Sequence, residues 1–425
     1  MSVQLNNNKA VIKLHRNLVL AVATTLQQIF VGNTPADKAI EQVLKSNSRW
    51  GARDRAFIAE TTYETVRWYR LLCHLGQKQP PTTPEQWLPI IGIVLLLKYE
   101  TETSAAAFRL PDDWPEFAGL HPEKIYAAKH ILLNTTTERA LAASIPDWLD
   151  EIGYNELGDQ WQPVLNALNQ PAPVVLRTNT LRITRENLRQ ALHTEGVETQ
   201  IFGNDAALIV TQRQNLFKTN AFLQGWFEVQ DAASQLVAPA LQVKPHLRVV
   251  DACAGAGGKT LHLAALMQNK GQIIALDTDA HKLQTLQQRA RRAGAFCIET
   301  RPIAHSKIIK RLYATADRLL LDVPCSGLGV LRRNPDTKWK LNPARLTELK
   351  QIQQQILRQY SPICKPGGLL VYATCSILPS ENEAQIEQFL SEQTTTPFTL
   401  LSSQHLWPQT YGFDGFYIAV LQRTA

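Results

Sequence analysis

Hydrophobic positions recur at helical spacing through the first third of the chain. Leu14, Leu18, Val22, Leu26 and Ile29 fall on one face and predict an amphipathic helix over residues 14–30. Residues 35–45 predict another, and 53–72 set Phe57, Ile58, Thr61, Thr65, Trp68 and Leu72 along a roughly continuous face. Residues 88–97 are strongly apolar but cover only about half a membrane span, which predicts a buried core helix. A helical stretch over 134–144 closes this region before Pro146, and 145–149 leads onward. From about residue 171 the pattern changes. Residues 173–179 and 207–210 predict strands around a helix over 185–193, a small α+β unit that runs into 227–231. Beyond it strand and helix alternate, with strands at 247–252, 272–277, 296–300, 318–323 and 368–374 and a closing apolar strand at 416–421. Helices at 258–267 and 280–293 fit between the first of these, the signature of a mostly parallel α/β sheet with crossover helices. The expected domains are 1–150, 151–235 and 236–425.

At 425 residues the chain exceeds one ordinary core, and 44% apolar with 19% charged residues fits a soluble globular protein. Lys13 and Arg16 before the apolar run 18–23 faintly suggest a secretion signal, but the run is too short and has helical spacing. No membrane segment is expected; the expected location is cytoplasmic and the expected state a monomer. The six cysteines (73, 253, 297, 325, 364, 375) show neither zinc spacing nor a disulfide framework, and no His/Asp/Glu set has metal-ligand spacing. Net charge is +7, and residues 246–425 carry 21 Lys and Arg against 13 Asp and Glu, a bias that could steer an anionic polymer. Arg289, Arg291 and Arg292 read as a solvated helix end. Arg332 and Arg333 lie at the mouth of the expected crevice, where phosphate contacts are a candidate role. Trp339 nearby reads as packing.

The loop from Asp251 to Thr260, Asp-Ala-Cys-Ala-Gly-Ala-Gly-Gly-Lys-Thr, sits between a predicted strand and its helix, where backbone amides can approach a ligand. A phosphate-binding P-loop needs Gly where Cys253 stands, and a strict dinucleotide fingerprint needs Gly where Thr260 stands. The looser glycine loop of an S-adenosylmethionine site survives. Asp277 ends the next strand, where a carboxylate can accept ribose hydroxyls, a feature that nicotinamide enzymes share.

Two further loops carry cysteine. Asp322-Val-Pro-Cys-Ser-Gly327 follows the strand at 318–323, and Tyr372-Ala-Thr-Cys-Ser376 follows the strand at 368–374. Ligands of open α/β sheets bind beyond the carboxyl ends of the strands, so Cys325 and Cys375 are placed in the crevice above the glycine loop. Methylation of a cytosine at carbon 5 asks for such groups. A thiolate adding to carbon 6 makes carbon 5 nucleophilic, a carboxyl such as Asp322 can hydrogen-bond ring nitrogen 3, and a base must remove the carbon-5 proton. Lys259 or Arg332 could favour the thiolate.

Cys253-Ala-Gly-Ala-Gly-Gly-Lys259, Asp322-Val-Pro-Cys-Ser-Gly327 and Ala373-Thr-Cys-Ser376 resemble the signature loops of the Sun/nucleolar-protein family of RNA cytosine-5 methyltransferases. The resemblance implies a Rossmann-like class I methyltransferase domain with Cys375 as nucleophile, Cys325 as the thiol that helps release the product, and Asp322 contacting base and cofactor. It implies that Cys253, Ala254, Gly255, Ala256, Gly257, Gly258, Lys259, Asp277 and Asp322 hold S-adenosylmethionine. Residues 53–56 through 66–68 resemble the helical NusB-like domain of the RsmB-type subgroup, which modifies 16S ribosomal RNA. Residues 176–179 and 229–231 resemble the family's small RNA-binding unit, which implies RNA contacts for Arg177 and Asn179. DNA cytosine methyltransferases lack the Thr-Cys-Ser loop and fit poorly. One departure is that residues 301–305 lack the usual acid that reads adenine, which leaves backbone groups, Glu299 or His305; another is Ala256 where many relatives have Pro. The readings that compete are a transfer RNA methyltransferase, a non-catalytic RNA-binding assembly factor and a nicotinamide-dependent oxidoreductase.

Overall fold

The computed structural model describes residues 14–98, 109–133, 138–203, 206–392 and 397–424. The chain divides into two compact units, one comprising residues 1–152 with 334–340, the other 153–333 with 341–425.

The first unit is helical. Its helices are α1 (Arg16–Phe30), α2 (Ala36–Ser46), α3 (Ala52–Leu75), α4 (Trp87–Lys98) and α5 (Pro122–Leu133). The run 18–23 lies inside α1 and turns Leu18, Val19 and Val22 into the core; Lys13 lies outside the described residues. Helix α4 is apolar all round and buried all round, so it forms the centre rather than a face. Of the expected helix at 134–144, residues 134–137 lie outside the described residues, and only Arg139–Ala142 is helical. The segment 334–340 belongs to this unit through side chains that bury deeply. Lys338 Nζ donates to the Arg67 carbonyl at 2.7 Å, and Trp339 Nε1 donates to the Val66 carbonyl at 2.7 Å. Trp339 therefore packs, edge-on to Tyr69.

The second unit holds two sheets. A four-stranded antiparallel sheet runs in the order β2-β3-β1-β4, from β1 (Val174–Thr178), β2 (Thr199–Ile201), β3 (Ala207–Val210) and β4 (Phe227–Val229). Helix α6 (Arg185–Thr194) covers it with Leu188 and Leu192 against Leu176, Leu208 and Phe227. The larger sheet has seven strands: β5 (Arg248–Asp251), β6 (Gln272–Asp277), β7 (Ile298–Pro302), β8 (Ala316–Asp322), β9 (Cys364–Thr374), β10 (Phe398–Leu406) and β11 (Phe416–Arg423). Their order is β10-β11-β9-β8-β5-β6-β7, with β5 to β9 parallel and β10 and β11 antiparallel. The order of the parallel strands reverses beside β5, the topological switch point where such folds bind ligands.

Strict alternation explains the two-faced core. Val249, Ile273, Leu320 and Val371 bury on one face with α7 (Gly258–Leu266) and α8 (Ala280–Ala293). Their neighbours Val250, Ile274, Leu319 and Leu370 bury on the other, with Leu357 of α9 (Pro343–Tyr360) and Phe389 of α10 (Glu383–Ser391). The expected closing strand at 416–421 is not an edge: β10 pairs outside it.

Candidate active site

Strand β5 ends on Asp251, whose carboxylate is buried and accepts the Thr260 hydroxyl at 2.7 Å; burial pushes it up to about 7. The chain then turns sharply. Gly255 and Gly257 adopt φ of +52° and +87°, and a Cβ on Gly257 would lie 2.5 Å from Leu286 of α8, so that position needs glycine. A Cβ on Gly255 or Gly258 would meet nothing within 4 Å, which leaves a cradle at the start of α7. Gly255 N–H donates to Asp277 Oδ2 and Asp279 N–H to Asp277 Oδ1, both at 2.8 Å. Each Asp277 oxygen keeps a second acceptor position. Cys253 lies among carboxylates: burial, then the charges of Asp251, Asp322 and Asp277, push its thiol well up, so it stays protonated. Its ionisation state is that of a lining group, not a nucleophile.

Strands β8 and β9 are neighbours in parallel register, Asp322 opposite Ala373, and this brings their following loops together. Cys325 Sγ and Cys375 Sγ stand 3.3 Å apart, both partly exposed. The sequence places these loops at one edge but is silent on their contact. Lys259, from the cradle, donates to Asp322 Oδ2 at 2.6 Å and lies over the Phe416 ring. Burial draws its ammonium down, but the charge and hydrogen bond of Asp322 and the charge of Cys375 outweigh this and hold it above the usual lysine value. A fixed cation thus neighbours the Cys375 sulfur. Cys325 behaves differently. Its hydrogen bond to Cys375, then burial, then the charges of Cys375 and Glu381 push it well above the ordinary cysteine value, so Cys325 keeps its proton.

Sequence reading misses the group beneath this pair. Glu381, fully buried, accepts Ser326 N–H at 2.8 Å and the hydroxyls of both Ser326 and Ser376, and Gln353 Nε2 at 3.0 Å. In the sequence it is an acid at a helix start, an ordinary dipole partner.

Four expected RNA contacts are placed otherwise. Arg177 and Asn179 are 2% and 5% exposed. Arg177 Nη1 donates to the Gly258 carbonyl at 2.6 Å and to Gln230; Asn179 Nδ2 donates to the carbonyls of Gly225 and Ala293 at 2.7 and 2.8 Å. Both join the small sheet to the larger one, so they are corrected from RNA contacts to struts. Arg332 is buried and donates to the carbonyls of Gly412 and Phe413 at 2.6 and 3.0 Å. Arg333 is paired with Asp231 and Asp414, at 2.5 and 2.6 Å. These two arginines hold the 412–414 segment. Arg289 and Arg292 likewise grip Glu228 of β4, and Arg289 also donates to the Ala256 carbonyl at 2.7 Å; Arg291 is exposed, as expected. Glu299 pairs with Arg301 and Gln272 and sits opposite Ile274, mid-strand and short of the ligand edge at Asp277. It is therefore removed from the candidates for adenine.

A doubly wound sheet with a glycine cradle at its switch point and a thiol pair beside it defines a class I methyltransferase. Residues 238–422 match the family described as "16S rRNA methyltransferase RsmB/F", and residues 145–216 match the ferredoxin-like domain of RsmF/B-like methyltransferases. The chain is 32% identical to the "Probable ribosomal RNA small subunit methyltransferase B" of Synechocystis sp., over 91% of this chain and 95% of that one. It is 29% identical to the "Ribosomal RNA small subunit methyltransferase B" of Pseudomonas syringae pv. tomato, over 96% and 97%. Among solved structures, the crystal structure of PH0851 shares the fold over 97% of this chain and 100% of that one, with a TM-score of 0.80 at 24% identity. A methyltransferase homologue from Pyrococcus horikoshii covers 68% of this chain and 98% of its own, at TM-score 0.60 and 26% identity. The protein belongs to the RsmB/F family of 16S rRNA methyltransferases.

Proposed function

We propose that the protein methylates carbon 5 of a cytosine in small-subunit ribosomal RNA through a transient bond between Cys375 and carbon 6. The observation that carries this reading is the thiol pair: two partly exposed sulfurs 3.3 Å apart at the carboxyl edge of the sheet, next to Lys259. A non-catalytic assembly factor has no use for such a pair.

The donor group fits S-adenosylmethionine. The open faces of Gly255 and Gly258 admit a ligand against backbone, and Asp277 offers its remaining acceptor positions to ribose hydroxyls. Cys253 to Lys259, with Asp277 and Asp322, would hold it. Bound there, it supplies an electrophilic sulfonium methyl group.

In the proposed step the Cys375 thiolate forms the bond from its sulfur to carbon 6. The ring's carbon 5–carbon 6 π pair moves to carbon 5, which takes the methyl group; the methyl–sulfur bonding pair would stay with the donor, which would leave as a neutral thioether. Asp322 meets the ring edge at nitrogen 3, where a proton held between the carboxyl group and the ring offsets the negative charge that builds there. A general base takes the carbon-5 proton, the C–H pair restores the carbon 5–carbon 6 double bond, and the carbon 6–sulfur pair returns to Cys375. Cys325 is the adjacent thiol at that departure. The test is nucleoside analysis of 16S RNA incubated with the protein and labelled donor. 5-Methylcytidine is expected with the native chain and none with Cys375→Ala; label on another base or atom contradicts the reading.

A further inference from the structure

The two sulfurs sit on separate loops, and nothing covalent fixes their distance. The residue between the loops is Glu381, which ends a short turn, Pro379–Glu381, six residues beyond Cys375. It is fully buried, where a carboxylate is costly unless its acceptor positions are filled. Four donors fill them: Ser326 N–H, the Ser326 and Ser376 hydroxyls, and Gln353 Nε2 of α9. Ser326 directly follows Cys325, and Ser376 directly follows Cys375. Each hydroxyl accepts a backbone N–H two residues on, from Leu328 and Leu378, which leaves its one proton for Glu381. Gln353 also donates to the carbonyl of Pro324, on the other flank of Cys325.

The carboxylate is itself anchored. The Tyr372 hydroxyl donates to the Glu381 carbonyl at 2.7 Å, and Asn382 Nδ2 donates to the Ser376 carbonyl at 3.1 Å. Above, Gly329 N–H donates to the Cys375 carbonyl at 2.9 Å, and a Cβ on Gly329 would lie 2.1 Å from the Gly415 carbonyl oxygen. The loops are thus pinned on both sides of the thiols. Packing alone would be served as well by an apolar residue; a four-donor carboxylate gives directional ties to two loops at once.

We infer that Glu381 is a positioning residue for methyl transfer: its carboxylate ties the Cys325 loop to the Cys375 loop and so sets the spacing of the two sulfurs. This rests on the reading of those thiols as the reacting pair. Its charge also helps to keep Cys325 protonated.

The test compares the full-length native chain with Glu381→Gln, which keeps shape and loses the charge and one acceptor. Three quantities are read beside the melting temperature: kcat, KM for RNA with Kd for S-adenosylmethionine, and the rate at which diamide links Cys325 to Cys375, followed as the loss of two hydrogens by mass. In Glu381→Gln, kcat is expected to fall on the order of 100-fold while KM and Kd stay within about twofold, the pattern of a misplaced reacting group. Cross-linking slows in parallel. Native kcat in Glu381→Gln, or losses in kcat, Kd and melting temperature together, would overturn the inference. Should Glu381→Gln fail to fold, the double variant Ser326→Ala/Ser376→Ala removes two of the same ties, with kcat expected to fall about tenfold; an unchanged kcat there overturns it equally. Cys325→Ala with Glu381 intact separates the two levels. If that variant forms no RNA adduct, the thiol reading fails, whereas the cross-linking rates still report whether Glu381 sets the spacing.

Discussion

Cys325 and Cys375 differ in their surroundings more than in their sequence. One feels the charge of Glu381 and keeps its proton; the other lies near Lys259. Replacing Cys375 by Ala is expected to abolish methyl transfer while leaving RNA binding near native, as measured by filter binding beside a transfer assay. Asp277→Ala is expected to raise the S-adenosylmethionine Kd roughly tenfold or more by calorimetry, the loss of one or two charge-assisted hydrogen bonds. Two buried carboxylates give a pH signature. Burial is the main cause that raises Asp251 and Asp414 to about 7, against 3.8 for an ordinary aspartate. The folded chain therefore holds protons that the unfolded chain releases above about pH 4, so their contribution to stability falls as pH rises from about 4 to about 7. Asp414→Asn is expected to flatten that fall in urea unfolding followed from pH 5 to pH 8. The cysteines and glycines were legible because their chemistry is written in local spacing. Arg177 was not, because its partners, Gln230 and the Gly258 carbonyl, lie 53 and 81 residues away.

At the scale of elements, the small sheet does more than precede the large one. Arg177 of β1 holds the carbonyl of Gly258, and Glu228 of β4 holds Arg289, which in turn holds the carbonyl of Ala256. The cradle is thus clasped from behind by two strands outside the large sheet. Glu228→Ala leaves Arg289 and Arg292 without their carboxylate, at a cost of about 3 kcal/mol in urea unfolding. S-adenosylmethionine binding is expected to weaken several-fold with it, read by calorimetry; unchanged affinity would break the link to the cradle. Strands β5, β6, β8 and β9 were legible because burial on both faces makes them continuously apolar. Strand β10 was not. It is an edge with a bulge between Leu400 and Ser402, and most of its residues are exposed, so no alternation marks it. The helix Pro343–Tyr360 also went unread, since glutamines such as Gln353 and Gln354 are buried where a periodic pattern expects apolar residues.

For the whole molecule, the chain clusters into two compact units, and buried polar struts such as Arg177 and Asn179 tie the small sheet to the large one. Nor does residue pattern reveal that 334–340 belongs with the helical unit; Lys338 and Trp339 look like surface residues until their partners Arg67 and Val66 are known. The net charge of +7, concentrated after residue 246, makes RNA affinity salt-dependent. Affinity is expected to fall on the order of tenfold or more between 50 and 200 mM salt; a flat response would deny the cationic surface a role. The most direct test of the chemistry uses Cys325→Ala with 16S RNA and S-adenosylmethionine, analysed by denaturing gel and then by peptide mass. The expected result is a denaturation-resistant RNA–protein adduct mapped to Cys375, because addition proceeds and elimination stalls. An adduct mapped elsewhere, or none with Cys375→Ala still fully active, would contradict it.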